Sequence, residues 1–280
     1  MSPVALITGT SSGIGLSSAV AAAGHGFTTV ATLRDPTRDG ALRAAAEAAG
    51  VTLDIRQLDV VDERSIASCI GGVVAEHGSL DVLVNNAGRG FVGTIEQVTM
   101  DEMRDIMEVN FFGVVATTKA ALPHLRASRG RVITVTSVGG VVGQPFNEAY
   151  CAAKFAVEGF MESLAPVAAT VGVLVSVIEP GPVATEFVNN VGVDVDKLFA
   201  EGGEYTPAMQ AYLTHVMAEF SNPDSVQSGD DVAEAVLAAM VTDSAAFRHQ
   251  TSHWARTFTG YKLSDHDGSA VVGMTSDWVR

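Results

Sequence analysis

The chain has 280 residues, with 17 Lys and Arg against 32 Asp and Glu for a formal charge of −15, and 47% of its residues are hydrophobic. That composition builds a core and excludes a disordered chain, while a pI near 4.7 without a Lys/Arg run argues against a nucleic-acid partner. The apolar stretches are strand length, far below the ~20 residues of a membrane span, and Cys69 and Cys151 have neither metal-ligand nor disulfide spacing.

In chain order, β-branched runs at 4–8, 28–33, 51–58, 81–84, 131–136 and 173–178 alternate with Ala-rich helical patterns at 15–23, 41–49, 65–76, 100–125 and 149–171. Strands separated by helices of ten or more residues imply parallel βαβ units with right-handed crossovers. The fold class expected is α/β, a doubly wound Rossmann-type parallel sheet with helices on both faces, forming a single domain over residues 1–280. After Pro180-Gly181-Pro182 the rhythm stops. Residues 183–230 read as a substrate lid carrying one helix at 206–220, a last helix follows at 230–240, and no element is assigned to the tail 243–280. Met1-Ser2-Pro3 runs straight into the first strand without a basic leader, so an unprocessed protein of the reducing cytoplasm, with no metal, is expected.

The first strand ends in Thr8-Gly9-Thr10-Ser11-Ser12-Gly13-Ile14-Gly15 and a helix follows at once. Glycines let the backbone turn tightly against a pyrophosphate, and the helix start offers unpaired N–H groups to the anion. The spacing is GxxxGxG, so Gly9, Ser11, Ser12, Gly13, Ile14 and Gly15 are read as a phosphate cradle. At the end of the second strand Leu33 stands where an acid would hold a ribose hydroxyl, and Arg34 follows with a fork suited to a 2′-phosphate. NADP(H) is therefore favoured, and Asp35 keeps NAD(H) open by a one-residue shift. Asp59 and Val60 could bracket an adenine, or Asp59 could cap the next helix. Asn86, Ala87 and Gly88 lie at the carboxyl end of the fourth strand, the edge where open parallel sheets bind ligands.

Tyr150 and Lys154, at i and i+4, share a helix face. A tyrosine with a reference pKa of ~10 is a poor acid at neutrality, and a fixed cation stabilises its phenolate. Ser137 ends the fifth strand, where a hydroxyl can hold a substrate carbonyl. Asn110, disfavoured inside a helix, points to a tertiary role.

Together Thr8 to Gly15, Asn85 to Gly88, Asn110, Ser137, Tyr150xxxLys154 and Pro180-Gly181 resemble the short-chain dehydrogenase/reductase family, in order and at family spacing. Segments such as Ala31-Thr32-Leu33-Arg34-Asp35, Asn110-Phe111-Phe112-Gly113 and Lys154 to Leu164 are similar to its 17β-hydroxysteroid and photoreceptor-type retinol dehydrogenase subgroup. The resemblance implies that Tyr150 exchanges the proton, Ser137 orients the reacting oxygen, Lys154 binds the nicotinamide ribose and lowers the tyrosine pKa, and Asn110 completes the set through a water. It also implies that Ser12 and Arg34 meet a 2′-phosphate, that Pro180, Gly181, Val183 and Thr185 border the nicotinamide, and that the protein is a homodimer or homotetramer.

The substrate mouth is expected from Val138, Val141, Val142, Gln144, Pro145, Phe146 and Asn147 with lid residues Phe187, Val188, Leu198, Phe199, Met209 and Tyr212. That set is mostly apolar, so a bulky hydrophobic alcohol or ketone fits best. A ketoacyl or fatty-acyl reductase is the rival enzyme, and a non-catalytic nucleotide-binding regulator is the rival of another class. His215, His249, His253 and His266 read as surface residues, and Cys151 as packing volume.

Overall fold

The computed structural model describes residues 2–185, 195–242 and 246–269. Within them lies one parallel sheet of seven strands, β1 (Val4–Thr8), β2 (Thr28–Leu33), β3 (Asp54–Gln57), β4 (Val82–Asn85), β5 (Arg131–Val135), β6 (Leu174–Glu179) and β7 (Arg248–Gln250), in the order β3-β2-β1-β4-β5-β6-β7.

Strand side chains alternate between two buried faces, which is why the central strands read as unbroken apolar runs. Leu6, Val30, Leu83 and Val132 point to one side, against α3 (Glu63–His77), α5 (Gly113–Ser128) and α6 (Glu148–Ala169). Ala5, Ile7, Ala31, Val84 and Ile133 point to the other, against α1 (Gly13–Gly24), α2 (Gly40–Ala49) and a C-terminal helix at Gly229–Val241. The last carbonyls of that C-terminal helix are capped by Arg131, whose Nη1 donates to Ala239 O at 2.8 Å and Thr242 O at 2.7 Å.

Three elements depart from the sequence reading. The pattern at 100–125 is not one helix: α4 (Met100–Met107) passes through a π turn at Glu108–Phe112 into α5. The region at 183–230 holds α7 (Val195–Glu201) besides α8 (Thr206–Ser221), which makes the helix at Gly229–Val241 α9. The tail contributes β7 and α10 (His253–Gly260). A strand as short and polar as Arg248-His249-Gln250 shows no alternation; it forms because β6 offers an unpaired ladder edge, with Val177 N donating to Phe247 O at 2.7 Å. Among the described residues no helix is long and apolar enough to cross a membrane.

Candidate active site

The strand order reverses between β1 and β4, and their carboxyl ends form the crevice in which such sheets bind ligands. Side chains stitch the two ends together. The Thr8 hydroxyl accepts the N–H groups of Asn86 and Ala87 at 2.9 and 3.0 Å, and Asn86 Nδ2 donates to the carbonyls of Thr8 and Gly9 at 2.9 and 3.0 Å. Gly9 has φ +71°, and a Cβ there would stand 2.7 Å from the Cα of Ala87; at Gly15 a Cβ would run into Asn86 Nδ2 and Gly9 O. Only glycine allows this approach. α1 starts from the same turn, its N-cap Ser12 makes no side-chain cap bond, and its first turn holds no acid. The N–H groups at that helix start are thereby left for an anion.

One cavity of about 1230 Å³ runs from this turn across the sheet edge, and every residue assigned to the cofactor lines it. The cradle residues Gly9 and Ser11 to Gly15 form one end with Arg34, Asp59 and Val60; Asn86, Ala87 and Gly88 form the floor; Ser137, Tyr150, Lys154, Pro180, Gly181, Val183 and Thr185 border the middle.

Asp35 is engaged elsewhere. Its carboxylate accepts Thr37 Oγ1 at 2.7 Å and Thr37 N at 3.0 Å, bonds that hold its pKa below the usual range. The short 3-10 turn it caps, Pro36–Arg38, carries Arg38 to the same cavity as Arg34. Arg38 escaped the sequence reading because only that turn folds it back. The helix-cap alternative for Asp59 is excluded, since Asp62 caps α3 by accepting Arg64 N at 2.8 Å.

Ser137 leaves β5 and accepts Gly139 N at 3.0 Å. It shares a hydrogen bond with Tyr150, which opposes the dominant effect of burial; the phenol is pushed up to about 12. Lys154 lies 5.8 Å from the tyrosine ring centroid and donates to Val135 O at 3.0 Å. Burial pushes it down to about 8, with Glu158 pulling the other way. The acidification of Tyr150 that the resemblance implies does not appear here, because burial of the phenol is the largest influence on it.

Asn110 sits in the π turn, fully buried. Its Oδ1 accepts Arg89 N at 2.8 Å and its Nδ2 donates to Arg89 O at 2.8 Å, so it clamps the loop after β4 from behind the cavity wall. A methyl at Gly88 would stand 3.1 Å from Asn110 Oδ1 and 3.8 Å from Lys154 Nζ, which sets both groups around one gap.

The far end of the cavity differs from the expected mouth. Val138, Val142, Gln144, Pro145, Asn147 and Tyr212 line it as expected. Val141, Leu198 and Met209 are buried in packing instead. Phe146 and Phe199 do not reach the cavity; Phe146 packs on the Tyr212 ring at 5.5 Å, and Asn147 Nδ2 donates to Tyr212 Oη at 2.7 Å. Phe187 and Val188 lie outside the described residues. Residues not foreseen complete the wall: Leu213, Val216 and Phe220 on α8, and Trp254 stacked on Phe258 at 4.9 Å and 10° on α10. The i, i+4 spacing of Trp254 and Phe258 was the available signal for α10. His215 also lines the cavity rather than facing only solvent, and His249 and His266 are half-buried. Cys151 is buried, and burial raises its thiol pKa, in keeping with a packing role.

A switch-point cradle beside a tyrosine, a lysine and a serine defines an α/β oxidoreductase of the nicotinamide-nucleotide kind. The short chain dehydrogenase family matches residues 3–196, and the chain belongs to it. Retinol dehydrogenase 8 of Bos taurus is 38% identical over 282 residues, covering 95% of this chain and 87% of that protein. The 17-beta-hydroxysteroid dehydrogenase type 1 of Homo sapiens is 38% identical over 277 residues, 96% of this chain and 83% of that one. A variant actinorhodin polyketide ketoreductase solved with NADPH has the same fold, with a TM-score of 0.76 at 28% identity over 90% of this chain and 96% of that structure.

Proposed function

We propose that the chain is an NADP(H)-dependent oxidoreductase that interconverts a bulky hydrophobic alcohol with its ketone or aldehyde. The observation that carries this reading is convergence: Ser137, Tyr150 and Lys154 border one cavity that has an anion-ready helix start at one end and an aromatic wall at the other. The donor set fits a dinucleotide, because the glycine turn is closed to side chains and open to a pyrophosphate. Arg34 and Arg38 supply two cations for a 2′-phosphate, while Asp35 is turned to Thr37 and is poorly placed to claim a ribose hydroxyl. Asp59 and Val60 would border the adenine, and Lys154 with Pro180, Gly181, Val183 and Thr185 the nicotinamide side. When bound, the nicotinamide supplies the hydride.

The chain's own residues handle the proton and the oxygen. A phenol at about 12 holds its proton at neutral pH, so Tyr150 is ready to donate to a carbonyl oxygen that Ser137 holds by a second hydrogen bond. The ammonium of Lys154 stabilises the phenolate left behind. Asn110 keeps the Arg89 loop in register beside Gly88. Trp254, Phe258 and the inner face of α8 exclude water, and the region at 183–230 serves as the lid over a hydrophobic substrate. Pairing of two copies across α5 and α6 rests on the family likeness.

A screen of steroid, retinoid, aliphatic and ketoacyl substrates by nicotinamide absorbance, with NADPH and NADH in parallel, tests the reading. Turnover of a lipophilic alcohol or ketone with NADPH preferred is the expected result. Turnover confined to ketoacyl thioesters would replace it with the ketoacyl reductase reading that the ketoreductase likeness favours, and none with any class would overturn both.

A further inference from the structure

Beside α6 one guanidinium from β7 sits among three carboxylates. Arg248 of β7 places Nη1 2.9 Å from Glu158 Oε2 and 2.8 Å from Glu179 Oε1, and Nη2 2.9 Å from Glu162 Oε2. Glu179 is further held by Gln250 Nε2, which donates to its Oε2 at 2.7 Å. Glu158 differs from the other two: it is 4% exposed, its Oε1 is buried with no hydrogen-bond partner, and it lies one turn beyond Lys154 on the same face of the helix. The neighbouring Thr136 hydroxyl donates to Ile178 O at 3.0 Å, and Lys154 donates to Val135 O. Lys154 and Glu158 therefore feel each other through a low-dielectric interior without an ion pair between them.

We propose that Glu158, anchored by Arg248, is a positioning residue that acts through Lys154, its ionisation keeping the Lys154 ammonium charged as the pH rises. The functional consequence rests on the role given to Lys154 under the proposed activity. The groups facing Glu158 are Lys154 and Glu162 on α6, Glu179 on β6, Arg248 on β7 and Thr136 after β5. Burial first and Glu179 second raise Glu158 to about 8, and burial lowers Lys154 to about 8. Burial thus moves the two groups toward each other, the acid upward and the ammonium downward. Protonated, Glu158 exerts no field; ionised, it is an anion one turn away that strengthens the hold of Lys154 on its proton.

Glu158→Gln is neutral throughout, so it should leave Lys154 charged on the acid side and shift its titration downward by about one pH unit. The chain has only four lysines, so ¹³Cε-lysine NMR reads the Lys154 midpoint directly, without substrate. Glu162→Gln is the control: it also removes one carboxylate contact of Arg248 but sits two turns from Lys154, and its midpoint should match the wild type. Glu158→Asp should restore the wild-type midpoint in large part, and the alkaline limb of turnover should follow the NMR midpoint in each variant.

Equal midpoints in wild type and Glu158→Gln, or an equal shift in Glu162→Gln, would overturn the proposal. If Glu158→Gln does not fold, the wild type decides: ¹³Cδ-glutamate NMR should show Glu158 ionised where Lys154 loses its proton, and a Glu158 still protonated through the Lys154 midpoint would refute the coupling. Absence of turnover in the wild type would refute the dehydrogenase reading alone, because the NMR result does not depend on it.

Discussion

At the cradle end of the cavity the contacts come from backbone and short side chains of one turn, Thr8, Gly9 and Ser11 to Gly15, which Asn86 pins through two backbone carbonyls. At the substrate end the wall comes from the sides of α8 and α10 and from the segment after Ser137, joined by contacts such as Asn147 to Tyr212 across 65 positions. A pyrophosphate is the same anion in every dinucleotide, so the first end can be built once from N–H groups and glycine. A substrate is recognised by shape, so the second end depends on which large side chains happen to face inward, and their packing can be exchanged without disturbing the sheet.

That contrast can be broken experimentally. The largest effect belongs to the middle of the cavity, where both ends meet: Tyr150→Phe should lower turnover by roughly 10²–10⁴-fold while NADPH affinity, followed by cofactor fluorescence, stays near the wild-type value. A loss of affinity of similar size would mean that the phenol serves the cradle rather than the reaction. Next comes the double substitution of Arg34→Ala with Arg38→Ala, which should weaken NADPH binding by about 10–100-fold, as expected for charge-assisted bonds, and spare NADH. Equal weakening of both cofactors would remove the 2′-phosphate from the reading.

At the other end, Trp254→Ala should raise the KM of a lipophilic substrate about tenfold and leave both cofactor affinities unchanged. An altered cofactor affinity would show that the two ends are not separable. The smallest effect is in pH dependence. Lys154 is charged below its midpoint of about 8 and neutral above it, so the reductive rate should hold at neutral pH and decline above that midpoint. A rate that rises through pH 9 would show that the ammonium is not required.

How much of this was legible depended on where the information sits. β1, β2 and the start of α1 could be read because a buried strand, a glycine turn and a helix start are consecutive in the chain. Tyr150 and Lys154 could be paired because a helix repeats. Arg38, by contrast, becomes a cavity residue only through the Asp35 cap, and the interruption at Glu108–Phe112 holds Asn110, whose partner Arg89 lies 21 positions away. β7 left no trace in the tail because it is three polar residues, stabilised by the edge of β6 and by the carboxylates around Arg248.

The sequence alone determined the alternating α/β plan, the family, and the residues that surround the cradle, since each rests on spacing along a single strand, turn or helix. Tertiary structure decided the rest: the sign of the Tyr150 shift, the identity of the substrate wall and the buried charges behind Lys154. Burial, which sets the cost of a charge, and orientation, which decides whether Met209 or Trp254 meets the cavity, arise only when distant segments pack together.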